Sequence, residues 1–161
     1  MSTGTGYFDL KKNKNNNSNF NNDFRSRSFY EQGKRFYETA WFVGERKDRF
    51  DYASVILTNA LLACELLLKA LLYSYNIKPY GHNLEDLYNQ LPSDDKKYIK
   101  DETFVGITHK DNFELCLKEQ KDAFVNYRYI CEVDCYTFDF GFIMGFSRAL
   151  INLCKKHIKL T

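Results

Sequence analysis

The chain is predicted to be all-α, an up-and-down bundle of four principal helices with one or two short ones, and three observations carry that expectation. Only 2 Pro and 8 Gly interrupt 161 residues, too few for the many turns of an all-β chain. Apolar residues recur at spacings of three, four and seven in several segments, the period of a helix face. Residues 58–72, Thr-Asn-Ala-Leu-Leu-Ala-Cys-Glu-Leu-Leu-Leu-Lys-Ala-Leu-Leu, read as a helix apolar on nearly every face, as a buried bundle helix must be.

The chain divides by composition at about residue 26. Residues 1–26 hold seven Asn between positions 13 and 22 together with Lys11, Lys12 and Lys14. Such a stretch buries too little apolar surface to offset its ordering entropy, and it is expected to be a disordered arm. Residues 27–161 are expected to be one helical domain.

From about Ser28 to Glu45, Phe29, Phe36, Ala40 and Val43 form an apolar stripe, with Tyr30, Tyr37 and Trp41 beside it. A second helix is expected from about Asp51 to Tyr75, with core positions Val55, Ala60, Ala63, Leu67, Ala70 and Leu71, whose small members permit close helix approach. Pro79-Tyr80-Gly81 breaks the chain, and Asn83 can cap a short helix through Leu84, Leu87, Tyr88 and Leu91. Ser93 opens another short piece, expected to end near Lys100. Asp111 or Asn112 starts a helix through Phe113, Leu117, Phe124 and Tyr127 towards Glu132, and a last helix runs from about Thr137 to Lys159. Lys155, Lys156, His157 and Lys159 close it, at the negative end of the helix dipole.

Charge and cysteine content exclude several functions. The formal charge is +2, and residues 1–28 alone carry five Lys/Arg against two Asp, or +3, so the remainder is near −1. Any phosphate contact by the folded part is therefore a local pocket rather than a broad basic face. Five Cys, an odd number, with no signal peptide before them, fit reduced thiols in a cytoplasmic protein. Glu65 and Lys69 interrupt the one stretch approaching the roughly 18 uninterrupted apolar residues of a membrane span, so no membrane association is expected. Cys131 and Cys135 lack a second Cys/His pair, so no metal site is expected. No Gly-rich phosphate loop, Ser elbow or zinc-protease motif points to a cofactor or a familiar hydrolase.

The chemistry concentrates on Glu65. A carboxylate inside an apolar helix needs a partner, because burying an unpaired charge costs several kcal/mol. Lys69, one turn on, supplies about 0.2–0.5 kcal/mol as a helix pair, too little by itself. Two further segments offer partners: Gly81-His82-Asn83-Leu84, and Phe124 to Glu132 with Asn126, Arg128 and Tyr129. Arg128 is either a cross-brace to Glu65 or a guanidinium facing a cleft to hold phosphate oxygens. His82 is either a clamp hydrogen-bonded to the backbone or to Glu65, or an acid/base group.

Taken in order, Ala60 to Leu72, Gly81-His82-Asn83-Leu84 and Phe124 to Glu132 resemble the HEPN domain over about residues 28–158. That resemblance implies a bundle of four or five helices that pairs as a homodimer. Many members are metal-independent ribonucleases of toxin–antitoxin and anti-phage systems, whose catalysis needs Arg followed by His after four to six residues. Here the eligible positions are Val133, Asp134 and Cys135 after Arg128, and Leu153, Cys154 and Lys155 after Arg148. The ribonuclease assignment therefore does not carry over, and whether the chain is an enzyme stays open. The resemblance leaves three roles. The first is binding of RNA or a nucleotide phosphate, with Glu65, Lys69, Asn126 and Tyr129 at the site. The second is a ribonuclease rebuilt around catalytic Arg128, His82 and Glu132. The third is a non-catalytic subunit for a partner protein, such as an antitoxin or a defence effector.

Overall fold

The computed structural model describes residues 18–106, 112–120 and 139–159, and every described element is helical. Helix α1 spans Ser18–Gly44. A 3-10 turn at Arg49–Tyr52 leads into α2, Ala53–Ser74. Two short helices follow, α3 at Leu84–Asn89 and α4 at Ser93–Thr103, then α5 at Phe113–Glu119 and α6 at Phe140–His157.

Helix α2 is the hub, because its apolar residues occupy nearly every face. Helix α1 runs antiparallel along it. Asn22 Nδ2 donates to Asn76 Oδ1 at 3.1 Å, Ser26 Oγ to the Ala70 carbonyl at 2.8 Å, and Phe29 stacks on Tyr73 with ring centres 5.5 Å apart. The two backbones close up at Gly33, where a Cβ would lie 2.9 Å from Leu67 Cγ and 3.3 Å from the Ala63 carbonyl. Only glycine fits there without displacing Leu67. On the other side α6 lies parallel to α2. Ser147 Oγ sits 3.0 Å from Cys64 Sγ and donates to the Ile143 carbonyl at 2.9 Å, so the two polar groups satisfy each other inside an apolar seam.

Helices α3, α4 and α5 cover the remaining side of α6 through rings. Phe113 meets Phe142 and Phe146 edge-on at 5.5 and 5.8 Å, and Tyr88 and Phe104 join them. At the far end Tyr75, Asp95 and His157 tie α2, α4 and α6 together. Tyr75 donates to Asp95 Oδ2 at 2.5 Å and lies 3.0 Å from His157 Nε2, which is 3.4 Å from Asp95 Oδ1. Burial first, then the Asp95 carboxylate, push the Tyr75 hydroxyl well above the ordinary tyrosine range.

Several expectations are corrected. Helix α1 begins at Ser18 rather than near Ser28, so residues 18–26, assigned by composition to the arm, are helical. The reason is tertiary, since the contacts of Ser26 to α2 and of Asn22 to the turn just after it anchor a stretch that composition alone would leave unfolded. Val55, expected in the core, is 46% exposed, because the first turn of α2 turns Ile56 and Leu57 inward and Val55 to the open face. Tyr30, placed beside the stripe, is buried deeper than Phe29, whereas Trp41 is 52% exposed. Helix α4 continues to Thr103, whose hydroxyl donates to the Ile99 carbonyl at 2.6 Å. The stretch Arg49–Ser74 is nevertheless long and apolar enough to cross a membrane, with a mean hydropathy of 2.0 over an 18-residue window, Glu65 and Lys69 notwithstanding. With 72% of that window buried, however, it packs as a core helix.

Candidate functional site

The site is built from the middle of α2 and the turn that returns to it. Glu65 points into the bundle and is 3% exposed. Lys69 lies one helical turn on, and its Nζ donates to Glu65 Oε1 at 2.8 Å. After α2 ends at Ser74 the chain reverses through Asn76, with φ of 58°, and Gly81, with φ of 81°. These are left-handed conformations that asparagine tolerates and glycine adopts freely. A Cβ on Gly81 would meet nothing within 4 Å, so its requirement is backbone conformation alone. Asn83 then caps α3, its Oδ1 accepting from the Asp86 amide at 3.0 Å.

This geometry returns His82 to the flank of α2, where its Nδ1 lies 2.8 Å from Glu65 Oε1. Because a carboxylate can only accept, the imidazole donates from Nδ1. One buried oxygen thus receives two donors, which offsets much of its desolvation. The His82 ring itself remains 71% exposed. The arrangement therefore fixes one ring nitrogen on a buried anchor and leaves the opposite edge open to solvent. A ring held in this way can hydrogen-bond a phosphate oxygen or exchange a proton there, with little orientation left to lose on binding.

The second carboxylate oxygen, Oε2, is buried and has no hydrogen-bond partner among the described residues. Arg128, Glu132, Asn126 and Tyr129 lie outside those residues, as do Cys131 and Cys135. Of the seven candidate residues, the structure brings Glu65, Lys69 and His82 together. No group of three or more His, Cys, Asp or Glu side chains able to hold a metal ion occurs among the described residues.

Sequence reading left His157 without a partner, whereas the fold places it on Tyr75 and Asp95. The nearer of those residues is 62 positions away, and no local pattern marks the contact. Cys64 and Cys154 have the opposite character. Burial pushes the Cys64 thiol up to about 12 and Cys154 above the ordinary range as well, so both are packing groups rather than nucleophiles.

No curated protein and no solved structure gives a match to the chain. The HEPN domain matches residues 26–156, which takes in most of α1, everything through nearly all of α6, the buried glutamate and the Gly-His turn. With that match spanning most of its length, and with an all-helical bundle in place, the chain belongs to the HEPN domain family, whose members have nucleotide- and RNA-related functions.

Proposed function

We propose that this protein binds RNA or a nucleotide phosphate at the corner made by Glu65, Lys69 and His82, as a homodimer in the cytoplasm of a bacterium with a defence or toxin–antitoxin system. The observation that carries this reading is the His82 ring, anchored at 2.8 Å on a glutamate that is itself 3% exposed, yet 71% open to solvent. Anchoring an exposed ring on a buried charge is a costly way to stabilise a surface turn and an effective way to present an imidazole edge. Arg128 is the phosphate-binding guanidinium in this proposal, with Asn126 and Tyr129 beside it. The buried oxygen Oε2, unpartnered among the described residues, supports a further donor near Glu65, and a guanidinium is the group suited to bridging a carboxylate and a phosphate.

The test is retention of labelled RNA on a filter by the wild type, His82→Ala and Arg128→Ala, with melting temperature measured beside it. Loss of retention in both variants at unchanged melting temperature supports binding. Equal retention by all three proteins overturns it.

A second reading, cleavage, is favoured by the Glu65–His82 hydrogen bond, because a carboxylate on Nδ1 holds an imidazole in the tautomer that accepts a proton at Nε2. In that reading His82 takes the proton of an attacking ribose 2′-hydroxyl, the phosphorus bond to the 5′-oxygen of the next nucleotide breaks to leave a 2′,3′-cyclic phosphate, and the proton passes to that 5′-oxygen, while Arg128 holds the scissile phosphate and Glu132 orients a partner. Incubation with RNA in EDTA separates the two readings, since only a ribonuclease shortens the substrate.

A further inference from the structure

The turn between α2 and α3 carries His82 and is fastened at both of its ends. On the α2 side the Ile77 amide donates to the Leu72 carbonyl at 2.9 Å, Asn76 accepts from Asn22 at 3.1 Å, and Ile77 packs against the core. On the α3 side His82 is held on Glu65 at 2.8 Å, Asn83 caps the helix and Leu84 is buried. Between these anchors runs Lys78-Pro79-Tyr80-Gly81. Lys78 is exposed, and Tyr80 is 88% exposed, more than any other bulky apolar side chain among the described residues. So open a ring adds little to the fold. Among the described residues it also meets no second ring, and its hydroxyl has no partner. Pro79 restricts the backbone immediately before it, so the ring is displayed from a stiff segment rather than a loose one.

We propose that Tyr80 is a stacking platform for an unpaired base of the RNA strand whose phosphate is held at His82. The proposal rests on the phosphate-binding reading above and adds a base contact to it. Spacing, charge and isolation of the ring support it. Lys78, Tyr80 and His82 stand at every second residue. An extended chain spans at most about 3.6 Å per residue, so successive members are no more than about 7 Å apart at Cα. A base stacked on Tyr80 therefore lies within one nucleotide's reach of the imidazole edge. The charges of the turn are one-sided, with Lys78 before the ring and Glu85 and Asp86 in the first turn of α3 beyond His82. Repulsion by those two acids directs a phosphodiester chain away from α3 and along the turn towards Lys78, which carries the neighbouring base over Tyr80. Finally, Tyr80 and His82 are the only rings between residues 76 and 83. An isolated ring set between cations suits a base flanked by phosphates, whereas a docked protein draws on clustered apolar anchors.

Every base has a π-face, so the platform needs the Tyr80 ring and not its hydroxyl, and it reads the presence of an unpaired base rather than its identity.

Fluorescence anisotropy with a short single-stranded oligoribonucleotide tests this on the full chain as wild type, Tyr80→Ala, Tyr80→Phe and His82→Ala, with melting temperatures measured beside it. A 2-aminopurine in the strand gives a second readout, because its emission is quenched when it stacks on an aromatic ring. Support is affinity lowered roughly 5- to 150-fold in Tyr80→Ala, the factor one base–aromatic stack contributes, with near wild-type affinity in Tyr80→Phe. Quenching at saturating protein should accompany the wild type and Tyr80→Phe and be lost in Tyr80→Ala, at unchanged melting temperature. Two results overturn the proposal: Tyr80→Ala that binds as the wild type does, or Tyr80→Phe as weak as Tyr80→Ala, which assigns the contact to the hydroxyl. Loss of binding in His82→Ala with Tyr80→Ala unaffected removes the stack and leaves the phosphate corner standing. Loss in Tyr80→Ala with His82→Ala unaffected supports the stack and overturns the phosphate corner, and a wild type that binds no RNA overturns both.

Discussion

At the scale of single residues, the decisive contrast is between Glu65 and His82, two ends of one hydrogen bond in opposite environments. Glu65→Gln removes a buried charge while two donors remain, and is expected to cost about 1–3 kcal/mol in urea unfolding. His82→Ala removes a ring that is 71% exposed and is expected to cost less than about 1 kcal/mol. That asymmetry makes His82 the cleaner functional probe, since a change in RNA retention there is not a change in folding. The buried thiol gives a second expectation. Cys64 titrates near 9.0 when unfolded and is pushed to about 12 in the folded bundle by burial. The folded state therefore holds its proton more tightly. That stability is fully present below pH 9.0 and is lost as pH rises towards 12. Urea midpoints measured between neutral pH and pH 11 should fall steadily over the upper part of the range, and less so in Cys64→Ser.

At the scale of elements, the closest backbone approach and the return turn matter most. Gly33→Val places carbon where Leu67 Cγ already lies 2.9 Å away, and overpacking of this kind is expected to cost about 1–3 kcal/mol. Gly33→Ala places the same Cβ 2.9 Å from Leu67 Cγ but adds nothing beyond it and gains up to about 1 kcal/mol of helix propensity, so it is expected to cost less than Gly33→Val in one denaturation series. Asn83→Ala removes the cap of α3 and is expected to cost about 1 kcal/mol. Because Asn83 follows His82 in the chain, it should also weaken RNA retention by more than its stability loss explains. A loss of retention no larger than that of an equally destabilising core variant would make the turn a bystander. Helix type and order were legible because the apolar periods are long. Boundaries were not, as Ser18 and Thr103 show. Composition misjudged the first, where contacts to α2 and the turn after it decide, and at the second the helix runs on to Thr103, whose buried hydroxyl bonds back to the Ile99 carbonyl.

At the scale of the whole molecule, the two ends of the bundle differ in kind. One is tied shut by Tyr75, Asp95 and His157, and the other exposes Phe42 and Phe50 beside balanced charges. The sequence reading set Trp41 on the stripe adjoining the core one and Val55 in the second-helix core. Val55 stands five residues before Ala60, off the buried stripe to which Ile56 belongs, and Trp41 follows the fully buried Ala40 on the adjoining open face. An apolar side chain is buried only when its position on the helix turns it towards a neighbour, and residue type alone does not report that.

The sequence by itself determined an all-helical chain, its most buried helix, the demand that Glu65 find a partner and the Asn83 cap. All of these are local, set by spacing and by the cost of burying charge. Tertiary structure alone decided which partner Glu65 takes among the described residues and that His157 meets Asp95. Those outcomes depend on how segments far apart in the chain are brought side by side, and no window of neighbouring residues contains that information.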